Sequence, residues 1–279
     1  MANQLFARKP LELLLKEMAG DHRLRRVLGP VQLTSLGVGA VIGTGIFVLT
    51  GVVAHERSGP AMILSFIAAG ITCALAALCY AEFASMVPVA GSAYTYAYAT
   101  LGELFAWIIG WDLILEYAVT AGAVAHGASA YFQNLIGIFK VKMPEALTCS
   151  PFDYNPALGQ MMATGTILDL PALLIVAAVT VILVIGIRES AGLNAAMVIL
   201  KVAIVLLVIV LGAFYVHPAN WHPFAPYGYA GINFFGKTVL GQADKGGQPL
   251  GVLAGGAMIF FAYIGFDSVS THSEESRNP

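Results

Sequence analysis

Ser35-Leu-Gly-Val-Gly-Ala-Val-Ile-Gly-Thr-Gly-Ile-Phe47 lies inside an uncharged run, 33–53, of the length needed to cross a bilayer. Its glycines stand at 37, 39, 43 and 45. Each glycine weakens a helix by about 1 kcal/mol relative to alanine, so the cluster needs a reason. Close packing against a neighbouring helix is one such reason, and it serves for Gly37 and Gly39. Gly43 and Gly45 bracket Thr44 at mid-depth, where a break in the helix is the better account. The backbone groups that a break frees are tolerable inside a bilayer only where they line a cavity. The helix that restarts there turns free N–H groups and the positive end of its dipole toward an anion.

Outward from this stretch, the chain has 279 residues, of which 58% are apolar and 11% charged, with net charge −2 and mean hydropathy +0.79. Soluble domains carry about a quarter charged residues. The composition excludes a soluble single-domain enzyme, a disordered chain and a nucleic-acid binder with basic patches. Three cysteines, two of them in one apolar run, make no disulfide framework. Six segments are long and apolar enough to span: 33–53, 61–80, 104–132, 170–187, 193–216 and 250–271. This predicts an all-α integral membrane protein, multi-pass, with the lipid bilayer as its solvent. The third span is long enough to tilt or project.

Residues 1–32 read as a cytoplasmic N-terminal tail rather than a cleaved signal, because Glu12, Glu17 and Asp21 lie among Arg8, Lys9, Lys16, Arg23, Arg25 and Arg26. Six spans return the C-terminal segment 272–279 to the cytoplasm of a cell (inner or plasma) membrane. Arg188 and Arg277 then lie inside, against Arg57, Lys140, Lys142, Lys237 and Lys245 outside. Residues 54–60 form a tight outer turn with Pro60 starting the second helix, and 133–169 and 217–249 are long outer loops. The inner segment 83–103 reads as a helical hairpin or interfacial stretch anchored by Tyr94, Tyr96 and Tyr98. Residues 11–18 read either as a short amphipathic helix on the membrane surface or as part of a solvated tail.

Span six repeats the theme of span one, with Gly265 inside an apolar helix followed by a buried-looking Asp267. Glycine-interrupted helices at corresponding positions of two halves point to a transporter site; packing glycines produce the same pattern. Lys201 lies about eight residues into span five, where an ionisable side chain costs on the order of 2.5–3.5 kcal/mol and normally faces a cavity or partner. It suits a proton carrier, with snorkelling to the surface as the alternative. Glu116 follows Asp112 by one turn on span three and, being deeper, is the better pocket acid. Glu82 and Asp267 read as gate or interface groups, and His126 as a hydrogen-bonded structural residue. The chain carries no HExxH, Cys-x-x-Cys, GxSxG or Walker pattern, so no catalytic residue, metal or cofactor is expected.

Four ordered motifs, GVGAVIGTGIFVLTG at 37–51, YAEFASMVPVAGSAYTY at 80–96, GWDLILEY at 110–117 and FFAYIGFDSVSTHSEESRNP at 260–279, resemble the amino acid permeases of the APC superfamily, most closely the cationic-amino-acid-transporter-like branch. The resemblance implies the broken-helix five-plus-five inverted-repeat (APC/LeuT-like) transporter fold, with 33–216 as the first five-helix repeat and 250–271 as the sixth helix opening the second. It implies that a substrate amino acid places its carboxylate on the N–H groups of Thr44, Gly45 and Ile46. The ammonium meets carbonyls near Val41, Phe261, Ala262 and Ile264, Phe261 closes the pocket outward, and Glu116 is the pocket acid. Lys201, against carbonyls near Gly39 and Ile42, carries proton coupling. The function so implied is secondary active amino acid transport by alternating access, as proton-coupled uptake. Proton-independent exchange and a non-transporting truncated membrane protein are the alternatives. Glu116 suits a cationic side chain if ionised and equally organises a pocket for small neutral ones. Family members have ten or more helices, so the resemblance also implies that this chain is truncated after the sixth span, a fragment of a longer reading frame.

Overall fold

A computed structural model describes residues 5–18, 26–141, 143–155, 160–185, 190–235 and 237–278. The chain is mostly helical. Its helices are α1 Leu11–Met18, α2 Pro30–Val41, α3 Gly45–Glu56, α4 Met62–Met86, α5 Ser92–Thr100, α6 Glu103–Ile138, α7 Leu170–Ile185, α8 Ser190–Ala213, α9 Val252–Phe260 and α10 Ser268–Thr271. Among the described residues four helices are long and apolar enough to cross a membrane, or five when α2 and α3, bent by 44° at their junction, count as one span.

The remaining expected span, the fourth, is α7, which is helical and apolar but has 16 described residues, about 24 Å at 1.5 Å per residue. That falls short of the hydrocarbon core of about 30 Å. Its expected inner end at 186–187, with Arg188, lies outside the described residues.

Three small hairpins depart from the all-α expectation: Phe152–Asn155 with Gln160–Ala163, Ile232–Phe234 with Lys237–Leu240, and Gln242–Ala243 with Pro249–Leu250. All lie in the long connections between spans, where stretches of two to four residues between glycine and proline turns are too short to show an alternating pattern.

The core sits where α9 packs along α4. Ile259 and Val53 are fully buried there beside Ala69. Ser65 Oγ donates to the Val252 carbonyl at 2.7 Å. Gly255 allows this approach: a Cβ on it would lie 2.6 Å from Ser58 Oγ and 2.8 Å from Ser65 Oγ. At the far end of span one α3 continues to Glu56, beyond the expected end of the span. The 54–60 connection is therefore not a bare turn. Arg57 Nη1 donates to Asp244 Oδ2 and to the Pro249 carbonyl, both at 3.2 Å. This clasps the last hairpin to the top of span one.

On the opposite face Leu28 meets residues 275–277. The Leu28 N–H donates to the Glu275 carbonyl and the Arg277 N–H to the Leu28 carbonyl, each at 3.0 Å, in a parallel bridge of Leu28 with Ser276. The segments before span one and after span six are thus stitched together. The expected short helix at 11–18 is present as α1, and residues 7–14 are tied to the bundle rather than lying as a solvated tail. Lys9 N–H donates to the Tyr98 carbonyl and Glu103 N–H to the Ala7 carbonyl, while Leu14 of α1 is buried with Val87 and Tyr96. The helical reading of 83–103 corresponds to α5. Tyr96, expected as an interfacial anchor, instead turns inward to 5% exposure and stacks on Phe83.

Candidate functional site

Both glycine-interrupted spans are broken, and the breaks touch. In span one the α-helix ends at Val41, Ile42 leaves helical geometry (ψ 91°), and the chain resumes at Gly45 with one wide π-type turn. In span six α9 ends at Phe260 and tightens into the 3₁₀ turn Phe261–Tyr263. Ile264 is extended (φ −54°, ψ 136°), and Gly265 adopts φ +104°.

The contact is reciprocal. A Cβ on Gly45 would lie 2.3 Å from Ala262 Cα, and one on Gly265 would lie 3.0 Å from the Ala40 carbonyl oxygen. Gly45 is thus a close-approach residue. Gly265 is required twice over, because its φ is one that side-chain-bearing residues rarely adopt. Gly37 fits the packing reading, since a Cβ there would lie 2.7 Å from Val269 Cγ2 of span six. Gly43 differs from all of these: nothing lies within 4 Å of its Cβ position, so it opens on space at the break.

These contacts draw Val41, Thr44, Gly45 and Ile46 of span one toward Phe261, Ala262 and Ile264 of span six. Gly45 and Ala262 are buried, and Val41, Thr44, Ile46, Phe261 and Ile264 are half-buried. Span three forms a third wall. A Cβ on its Gly127 would lie 3.5 Å from Thr44 Cγ2, and about three turns nearer the start of α6 Glu116 is half-buried within electrostatic reach of Asp267. Asp112, by contrast, is exposed, as is Glu82.

Asp267 is buried, as its place in an apolar span suggests, which leaves the gate reading and not the interface one. It is 4% exposed, Tyr117 Oη donates to its Oδ2 at 2.8 Å, and its Oδ1 is buried without a partner. It follows the extended Ile264 and the positive-φ Gly265, beyond which the chain turns into the bundle.

Lys201 Nζ, on α8, donates to the Gly39 carbonyl at 2.9 Å. A helix leaves its last carbonyls without intrahelical donors. At the end of α2 the Ile42 N–H takes the Val38 carbonyl, and Lys201 takes the next one along. A cation at a helix C-terminus is also the favourable charge for the dipole. The expected second contact, to Ile42, is not among the hydrogen bonds of the described residues. No group of three or more His, Cys, Asp or Glu side chains among the described residues is placed to hold a metal ion.

Sequence reasoning missed Asp169. It caps α7 by accepting the Ala172 N–H at 3.1 Å on Oδ1, the same oxygen that accepts Ser129 Oγ. Its Oδ2 meets His126 Nδ1 at 3.0 Å. Serine and histidine both bond the carboxylate rather than one another, so this is a brace between spans three and four and not a nucleophile relay. An Asp immediately before an apolar helix was the available signal. Burial alone would raise the Asp169 pKa, but the hydrogen bonds from Ser129, the Ala172 N–H and His126 outweigh it and hold the carboxyl below its ordinary value.

A carboxylate depressed in the folded state stabilises above its unfolded pKa, about 3.9, and loses that contribution as pH falls through the folded value. Asp169→Ala is therefore expected to lower stability by about 1–2 kcal/mol at neutral pH. In melting curves, the gap to wild type should stay constant down to about pH 5 and close below the carboxylate range.

Residues 28–279 match the protein family described as amino acid permease. The chain is 47% identical over 277 residues to the methylthioribose transporter of Bacillus subtilis (strain 168), covering 99% of this chain and 54% of that protein. It is 46% identical over 279 residues to the branched-chain amino acid permease BcaP of the same organism, covering 100% of this chain and 54% of that protein. Against the vacuolar cationic amino acid transporter 4 of Arabidopsis thaliana it is 37% identical over 281 residues, covering 99% of this chain and 42% of the relative. The chain spans about half the length of the curated relatives it matches. All three are permeases or transporters, and none is an enzyme.

Proposed function

The chain belongs to the amino acid permease family, and from that premise we propose that it forms the substrate site of a secondary active transporter for amino acids, working by alternating access and driven by protons. The observation that carries the reading is the reciprocal contact of the two broken spans, Gly45 on Ala262 and Gly265 on Ala40. In lipid such breaks are tolerated only where protein or a cavity satisfies the freed backbone, and paired broken helices at mid-membrane are how transporters build substrate sites.

In this reading the substrate carboxylate sits on the N–H groups of Thr44, Gly45 and Ile46, against the positive end of α3. The substrate ammonium is held by carbonyls at Val41, Phe261, Ala262 and Ile264. Phe261 closes the pocket on its outer side, and Glu116 sets the electrostatics of the side-chain end. Lys201 couples transport to protons: its ammonium holds the carbonyl end of α2 at Gly39 and releases it on losing a proton. The inverted-repeat arrangement, 33–216 followed by 250–271, and a cytoplasmic N-terminus in the cell membrane belong to the same proposal.

The three relatives are named for methylthioribose, branched-chain and cationic substrates, so family membership leaves the side chain open. Leucine, alanine and arginine are the substrates to try first. Uptake of each is measured in cells lacking their own permeases, with the protein expressed from its own gene, with and without an inward proton gradient. Concentrative uptake that collapses when the gradient is dissipated is expected. Uptake indifferent to the gradient, appearing only as counterflow, would replace proton coupling with exchange. No flux of any of the three, with the protein in the membrane, would remove the transport reading.

A further inference from the structure

Four buried side-chain atoms among the described residues have no hydrogen-bond partner: Arg57 Nε, Asp267 Oδ1, Tyr96 Oη and Ser273 Oγ. The last three fall along one seam, where the end of span six packs against α4 and α5. Asp267, Ser270 and Ser273 recur at every third position of span six and its continuation, and all three are buried. Tyr80 of α4 stands within electrostatic reach of Asp267 and beside the Ser92 hydroxyl. Ser92 Oγ lies 3.3 Å from Ser270 Oγ, which donates to the Asp267 carbonyl at 2.7 Å. Tyr96 Oη adjoins the Ser270 and Ser273 hydroxyls without a well-directed bond to either.

One end of the seam adjoins the Lys201 contact. Lys201 Nζ bonds the Gly39 carbonyl, the next carbonyl, that of Ala40, faces Gly265, and Asp267 follows two residues later. Glu116 and Tyr117 of α6 face Asp267 there, and Asp267 makes no ion pair among the described residues. The other end reaches a cavity of about 370 Å³, lined in part by Tyr80, Ser270, Ser273, Ser276 and Asn278. A space of that size with several polar groups on its wall takes on the order of ten waters. Near it, Glu274 Oε2 accepts the Ala90 N–H at 3.2 Å and His272 lies 3.7 Å from Glu275.

A seam that only packs has no use for unbonded hydroxyls, since phenylalanine and alanine would fill the same space without a stranded polar atom. A file of hydroxyls headed by a carboxyl suits the passage of protons. We infer that Asp267, Ser270, Tyr96 and Ser273 form the route by which the coupled proton leaves for the cavity, an inference that rests on the proton-coupled reading of the site. The proton arrives on a carboxylate oxygen of Asp267. As it leaves, that O–H bond breaks, and each hydroxyl along the file gains one proton as it loses another. The side chains end as they began, and one proton has passed to the cavity water.

Tyr96→Phe and Ser273→Ala each remove an oxygen that has no hydrogen bond, so neither is expected to lower the melting temperature. The double variant is compared with wild type, both expressed from the protein's own gene, in two assays with leucine, alanine and arginine. One is uptake driven by an inward proton gradient. The other is counterflow at equal pH, in which the carrier returns with its proton and releases none. Gradient-driven uptake is expected to fall at least about tenfold in the double variant, with counterflow within about twofold of wild type. Gradient-driven uptake that survives the double variant would overturn the route. So would an equal loss of counterflow, the mark of a structural role. Wild-type uptake indifferent to the gradient would instead remove the proton-coupled reading, and the route with it.

Discussion

Gly45→Ala is expected to abolish amino acid binding and to lower the melting temperature, while Gly51→Ala, six residues along the same half-helix, should do neither. The two glycines look alike in the sequence and differ in what faces them. A Cβ on Gly45 would lie 2.3 Å from Ala262 Cα and 2.6 Å from Ala262 Cβ, whereas nothing lies within 4 Å of the Gly51 position. Backbone cannot swing aside as a flexible side chain can, so the added methyl must push the two breaks apart. Overpacking of this kind costs about 1–3 kcal/mol. The larger consequence is geometric: in the proposed site the N–H groups at 44–46 and the carbonyls at 261–264 serve one substrate, so parting the breaks should lower affinity by more than about tenfold. Gly51→Ala instead gains helix propensity, up to about 1 kcal/mol. Ligand titration and thermal melting of both variants give the comparison.

Lys201→Ala is expected to erase the pH dependence of uptake and to destabilise the protein by about 1–3 kcal/mol, the cost of leaving a buried acceptor without its donor. The Gly39 carbonyl would lose the ammonium at 2.9 Å and face the low-dielectric interior alone, one turn before the break. Lys201→Arg restores a permanent charge without a removable proton. It should therefore recover stability more than pH dependence. Uptake profiles from pH 5 to 8 that coincide for wild type and Lys201→Ala, when each is scaled to its own maximum, would end the coupling role.

The breaks themselves were legible, because a glycine pair around a threonine at mid-span has no cheaper explanation. What each break touches was not. Gly45 and Ala262 are far apart in the chain, and only the fold shows that the small residue of one span faces the backbone of the other. The Arg57–Asp244 clasp, across 187 positions, escaped for the same reason.

The burial of Asp267 was legible from its place in an apolar span, whereas its Tyr117 partner, 150 positions away, was not. Tyr96 was misread because alternation means different things on strands and helices. Tyr94 and Tyr98 share a helix face, their rings 6.0 Å apart, and the residue midway between them points the other way. The Asp169 cap was readable from its place before an apolar helix and was overlooked. Its His126 and Ser129 partners, 43 and 40 positions away, needed the packing of span three on span four.

The central claim is that the two touching breaks form one amino acid site, and ligand-induced thermal stabilisation tests it most directly. The purified protein, expressed from its own gene, is melted with leucine, alanine, arginine and methylthioribose over a concentration series, beside Gly45→Ala. A ligand that binds only the folded state raises the melting temperature with concentration. The account predicts such a rise with at least one amino acid and its loss in Gly45→Ala at every concentration. A rise of equal size in Gly45→Ala, or none with any of the amino acids in a protein that melts cooperatively, would contradict it.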